Sequence, residues 1–251
     1  MMDDSSRHSL WLAIPLEDYE RHMSADSVAQ AGMLAETLRR LVQAYRPGSF
    51  ALLGSAGGNG LESLDPAMTL RVVAVDVNAA YLQECSARHA ARFDRFEAVH
   101  CDLSQGPPFA DPVELVYAAL VVEYLELDAF LSYVSSLVTQ GGRIAFVFQD
   151  RDGSDTPVSD SGVRSIQLLK SAHEPVDLAR VVDVLQARGD GCRGAAGSCI
   201  RAGKALYAAG DGEALSCAQP VQIRCARRRG SGAGRASRAG RASSAGGGLG
   251  P

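Results

Sequence analysis

The run Phe50-Ala51-Leu52-Leu53-Gly54-Ser55-Ala56-Gly57-Gly58-Asn59-Gly60-Leu61-Glu62 passes from four apolar residues into a glycine-dense turn. The apolar part predicts a buried strand. The residues from Leu61 predict the start of a helix. Glycine permits positive φ and close backbone approach, so a ligand can lie against the main chain. A helix starting there would point its unpaired N–H groups back at the turn. Such a strand, turn and helix form the ligand-binding corner of a doubly wound α/β domain.

Further strands follow at regular intervals. Leu70-Arg71-Val72-Val73-Ala74-Val75-Asp76 is β-branched and ends in a carboxylate, 22 residues after Gly54. That offset is close to the roughly 20 residues expected for an acid that binds a ribose. Phe96-Glu97-Ala98-Val99-His100 runs into Cys101-Asp102. Val113-Glu114-Leu115-Val116-Tyr117-Ala118-Ala119 leads into Leu120-Val121-Val122-Glu123-Tyr124, and Gly142 to Gln149 supplies a fifth strand. Helical stretches between them predict a mostly parallel sheet with helices on both faces.

Residues from about Trp11 to Arg188 resemble a class I S-adenosylmethionine-dependent methyltransferase, which has a Rossmann-like fold. The glycine turn, Asp76, Asp102 and the Glu123-Tyr124 strand end carry the resemblance. It implies that Gly54, Ser55, Ala56, Gly58 and Gly60 form the turn against the methionine part of the cofactor. Asp76, with Val77 beside it, would bind the ribose. Asp102, with Leu103, would read the adenine amino group, and Ala119 would close the crevice. Two positions depart from the family pattern. Ala56 stands where the middle glycine of G-x-G-x-G belongs, which requires negative φ there. Leu52 stands where the family often has an acid near the cofactor's amino group, leaving main-chain carbonyls or Glu62 for that role.

Two other readings compete. A nicotinamide-binding domain needs G-x-G-x-x-G. Read from Gly58 the pattern meets Ser63 in place of the last glycine, and read from Gly54 it fails at Ala56. A non-catalytic or degenerate ligand-binding domain of the same fold is the other alternative, since fold does not dictate function.

Candidates for the chemistry lie at the strand ends and in the N-terminal segment. Glu123 and Tyr124 sit where the fourth strand meets the crevice, suited to acceptor orientation or proton removal. Tyr19, His22 and Met23 precede a helix with an apolar face (Val28, Met33, Leu34, Leu38, Leu41, Val42), capped by Ser24 or Asp26 and ending near Arg46-Pro47-Gly48. In related methyltransferases this segment often folds over the cofactor, which makes Tyr19, His22 and Met23 lid candidates. His100 and His173 show no partner. No N/D-P-P-Y/F sequence and no Pro-Cys nucleophile occurs, which leaves a small-molecule acceptor by elimination.

Composition agrees with one domain and an extension. The chain has 251 residues, 46% of them hydrophobic, enough for a sizeable core. No run approaches the ~20 apolar residues of a membrane span. The net charge is −4, yet residues 222–251 hold seven arginines and no acid, which leaves −11 on the remainder. An acidic body argues against nucleic acid as a partner of the core. The acidic N-terminus has no secretory pattern, so a cytoplasmic monomer or homodimer with reduced thiols is expected. None of the six cysteines forms C-x-x-C, and no metal site is expected.

The expected organisation is a cap segment over 1–46, the cofactor-binding core over 47–188, an irregular extension over 189–226 and a disordered Arg/Gly/Ser/Ala tail over 227–251. Val176 to Arg188 still reads as an amphipathic helix. Beyond it the edge hairpin that completes such sheets reads as incomplete. Only Gly203 to Ala209 looks strand-like, and 191–199 does not. The abrupt loss of periodicity near residue 189 suggests a shifted reading frame, which the coding DNA would settle.

Overall fold

The computed structural model describes residues 4–149 and 157–187 and three short strands beyond them. Three helices open the chain: α1 (Asp4–Leu12), α2 (Leu16–Ser24) and α3 (Gln30–Tyr45). The parallel core follows as β1 (Ser49–Leu53), β2 (Arg71–Asp76), α4 (Ala79–His89), β3 (Arg95–His100), β4 (Val113–Ala119), α5 (Leu127–Tyr133) and β5 (Val138–Gln149). After α6 (Leu178–Ala187) come β6 (Arg193–Ala195), β7 (Ala205–Tyr207) and β8 (Val221–Arg224).

The five core strands lie in the order β3-β2-β1-β4-β5, all parallel. The chain builds outward from β1 to β3, then crosses to β4 on the other side. The crevice at the carboxyl ends of β1 and β4 is therefore the topological switch point, where ligands of this architecture bind. Burial accounts for the strand composition. Val72 to Val75 of β2 and Leu115 to Ala118 of β4 are covered on both faces, and their runs are continuously apolar rather than alternating.

Three local expectations are corrected. No α-helix follows the glycine turn: only a 3-10 turn, Leu61–Ser63, forms there. Five residues separate Gly60 from Pro66, and proline pushes Asp65 out of the helical region. Neither Ser24 nor Asp26 caps the long helix: Ser24 ends α2, and Ala29, with φ 51°, precedes α3 without a side-chain cap. The corner has a packing reason. Met23 and Val28 are both buried, but on a straight helix they would point about 140° apart. Finally, 193–195 pairs as β6 inside a segment that read as no strand.

The outer edge of β5 is met by antiparallel pieces, β8 along Arg143 to Phe146 and β7 along Val147 to Gln149. The strand-like reading around Leu206 falls on β7. The edge is thus covered by short strands rather than by one long hairpin. The Arg/Gly/Ser/Ala tail lies outside the described residues, as do Cys192, Cys199, Cys217 and Cys225. Among the described residues no helix is long and apolar enough to cross a membrane.

Candidate functional site

Asp76 organises the crevice. It ends β2, is 7% exposed, and has both carboxylate oxygens held by backbone N–H groups. Ala56 N–H donates to Oδ2 at 2.8 Å and Asn78 N–H donates to Oδ1 at 2.9 Å. Burial raises its pKa, and these hydrogen bonds oppose the rise. Each oxygen keeps a lone pair for a ligand hydroxyl. At the end of β3, Asp102 accepts Ser104 N–H at 2.8 Å through Oδ1, while Oδ2 lies 3.4 Å from His8 Nδ1.

The glycine turn reaches Asp76 by an unforeseen conformation. Every second residue is left-handed: Gly54 at φ 68°, Ala56 at 44°, Gly58 at 86° and Gly60 at 91°. Ala56 therefore does not keep negative φ. In this conformation the Ala56 N–H donates to Asp76, which offsets part of the strain. A Cβ at Gly54 would lie 2.8 Å from Val121 Cγ2, so that glycine is required by close packing as well.

These elements line an open cleft. Of the residues read from the sequence as cofactor-binding, Gly54, Ala56, Asp76, Val77, Asp102, Leu103 and Ala119 line it. Ser55, Gly58 and Gly60 do not. Ser55 is buried beneath the turn. Gly58 packs on His89 and Cys85, and Gly60 on Leu38, so these two glycines serve packing. Glu62 is also turned away, accepting Gly60 N–H at 3.0 Å.

A second chamber adjoins the cleft and shares Trp11, Tyr19, Leu120 and Tyr124 with it. Glu123, His22 and Met23 line this chamber and not the cleft. Glu123 is 2% exposed, and Gln149 N–H donates to its Oε1 at 2.7 Å. Burial pushes its pKa up to about 7. His22 is also buried, which lowers its pKa, and its Nδ1 pairs with Ser161 Oγ at 2.7 Å. Tyr19 and Tyr124 are held protonated far above neutrality by desolvation. Tyr124 stands edge-on between Trp11, at 5.1 Å, and His173, at 5.7 Å, so His173 does have a partner.

Several residues of the site escaped sequence reading. α1 roofs the cleft through His8 and Trp11. Asn78 Nδ2 donates to Trp11 O at 3.1 Å and Tyr81 Oη donates to Ile14 O at 2.8 Å, tying this roof to α4. The one available signal was that Trp11 is the chain's sole tryptophan. Leu120, with φ 54°, turns the chain out of β4 between the two spaces. Among the described residues no group of three His, Cys, Asp or Glu could hold a metal ion.

A parallel sheet with acids at the ends of β2 and β3 and a glycine turn after β1 defines the class I methyltransferase arrangement. Residues 51–146 match the family model described as a methyltransferase domain. That stretch therefore carries a methyltransferase-domain match on a Rossmann-like α/β fold. Similar solved structures include N-methyltransferase NodS from Bradyrhizobium japonicum WM9 with S-adenosyl-L-homocysteine (15% identity, TM-score 0.56, 83% of this chain and 97% of that one). Magnesium protoporphyrin IX methyltransferase from Synechocystis PCC 6803 with bound cofactor is similar at 14% identity and TM-score 0.59, over 90% and 99% of the two chains. Phosphoethanolamine N-methyltransferase 2 from Haemonchus contortus is similar at 15% identity and TM-score 0.53, over 72% and 42%. At such identities these likenesses show the fold. No curated protein matches the chain.

Proposed function

We propose that the protein transfers a methyl group from S-adenosylmethionine, held in the cleft, to a small molecule held in the second chamber. The observation that carries this reading is the pairing of the two spaces across one wall, Tyr19, Leu120 and Tyr124. Asp76 is suited to the ribose hydroxyls and Asp102 to the adenine amino group. Gly54 and Ala56 offer main chain to the methionine part. When bound, the cofactor supplies a sulfonium-activated methyl group. The chain's own task is then to aim a nucleophile and exclude water, and positioning of this kind can supply up to about 7–11 kcal/mol. Glu123 is the group placed to orient the acceptor or take its proton. A cytoplasmic monomer or homodimer, with no nucleic acid bound by the core, completes the reading.

The 3-10 turn at Leu61–Ser63 speaks against a nicotinamide dinucleotide. With no α-helix N-terminus at the glycine turn, no aligned N–H groups await a pyrophosphate. Thermal shift with S-adenosylhomocysteine and with NAD⁺ tests the reading. At about 100 times its dissociation constant the first should stabilise the fold by roughly 2.7 kcal/mol. Asp76→Ala should weaken that shift, and NAD⁺ should give none. A shift with NAD⁺ alone would overturn the assignment. Retention of S-adenosylmethionine without turnover in a metabolite extract would favour a binding-only domain.

A further inference from the structure

The second chamber holds what the cleft lacks, a buried carboxylate oxygen with nothing to bond. Glu123 Oε1 is occupied by Gln149 N–H, while Oε2 has no hydrogen-bond partner among the described residues. A buried polar atom in that state is costly until a ligand completes it. Glu123 faces the second chamber rather than the cleft, so its charge is not aimed at the cofactor.

The surrounding groups specify the sign of that ligand. Among the described residues no Lys or Arg lines the chamber. The other titratable groups that line the chamber among the described residues are Tyr19 and His22 of α2, Tyr124 beside Glu123 and His173 after α5 and β5. Burial disfavours the charged form of His22, and both phenols stay protonated, so His22 is a poor counterion and the phenols offer none. Trp11 stands at 67° to Tyr19 and at 87° to Tyr124, so ring faces turn in more than one direction around the wall of the chamber. Aromatic faces attract cations, most strongly where water is excluded.

We infer that the methyl acceptor is a small primary or secondary amine, which enters as its ammonium between Glu123 Oε2 and the aromatic wall and gives its proton to Glu123. The inference rests on the methyltransferase reading of the adjoining cleft. The ammonium N–H proton passes to Oε2 and leaves a lone pair on nitrogen. That pair forms the new N–C bond as the C–S bond breaks, and the C–S electrons stay on sulfur, which becomes a neutral thioether. The methylated nitrogen carries the positive charge, and Glu123 later returns its proton to water. A carboxyl raised to about 7 is matched to this exchange near neutral pH. The alcohol of a sugar or a phenol would bring no positive charge to offset the buried carboxylate.

Benzylamine, benzyl alcohol and benzoate serve as probes of one size, titrated into the protein saturated with S-adenosylhomocysteine. Fluorescence of Trp11, the only tryptophan and a wall of the chamber, reports binding. At about pH 8 benzylamine should bind roughly tenfold more tightly than benzyl alcohol, and benzoate least. Glu123→Gln should remove the preference and leave S-adenosylhomocysteine affinity within about twofold. If that variant fails to fold, the wild type still decides. The preference should shrink at least about fivefold between roughly pH 8 and pH 5.5, as the carboxyl gains its proton. Equal affinity for amine and alcohol, or a preference independent of pH, overturns the inference. Failure to bind S-adenosylhomocysteine at all overturns the methyltransferase reading instead.

Discussion

Ala56 and Leu120 are two non-glycine residues with left-handed backbone that face the cleft. For a residue with a Cβ this conformation costs roughly 1–2 kcal/mol. Ala56→Gly should remove that cost, and the greater freedom of glycine in the unfolded chain offsets roughly half of it. A net gain of roughly 0.5 kcal/mol is expected in urea unfolding, with the Ala56–Asp76 bond retained. Loss of stability would mean that the methyl group packs better than its backbone is strained. Glu123 makes an opposite kind of contribution. Its folded pKa of about 7 lies above the ordinary 4.5, so the folded state holds the proton more tightly than the unfolded state does. Its stabilising effect is full below about 4.5 and is lost as pH rises to about 7, a change of about 3 kcal/mol. Asp76, raised by burial, acts with the same sign. Melting curves across that window should show the decline, and Glu123→Gln should flatten it. Asp76 and Asp102 were legible in the sequence because a strand end fixes where a side chain points. The isolation of Glu123 was not, because it depends on residues 157–173 folding over a strand end that is distant in sequence.

Among elements, the roof was the least legible. Tyr19, His22 and Met23 were expected over the cofactor, yet only Tyr19 reaches the cleft, and His8 and Trp11 of α1 cover it. α1 carries too few apolar residues to show a helical stripe, and part of the roof's hold on the body runs through the backbone carbonyls of Trp11 and of Ile14 just beyond the helix, which no side-chain pattern reveals. Trp11→Ala should lower the melting temperature of the ligand-free protein by roughly a few degrees, because it loses the edge contacts with Tyr19 and Tyr124. It should speed S-adenosylhomocysteine release about tenfold in stopped-flow chase experiments, the equivalent of about 1.4 kcal/mol. Unchanged release would show that the roof plays no part in retention. The helix expected after the glycine turn shows a different limit. Apolar residues at Leu61 and Leu64 suggested one, and both are buried, but Pro66 ends the segment before a first α-turn can propagate. The proline was present in the sequence and outweighed the pattern.

At the scale of the whole molecule, the parallel sheet followed from the alternation of strands and helices, while its order, β3-β2-β1-β4-β5, came from the structure. The far edge did not follow, since β6, β7 and β8 are three or four residues each and carry no periodicity to read. β7 and β8 nonetheless occupy the backbone groups of β5 from Arg143 to Gln149, and β6 pairs with β8. A chain ending at residue 188 would present that edge bare, and unpaired edges recruit other chains. Light scattering should detect concentration-dependent association of the truncated protein beyond that of the full chain. A monodisperse truncated protein would show that the edge is protected without them.

The wall formed by Trp11, Tyr19, Leu120 and Tyr124 borders the cleft and the second chamber at once, and two of its four members belong to the helices that roof the site. Displacing that roof to exchange spent cofactor would disturb the neighbouring compartment at the same time. An acceptor able to take more than one methyl group would therefore be set free between rounds. Partly methylated product would accumulate in solution before any fully methylated product formed, so turnover would be distributive rather than processive.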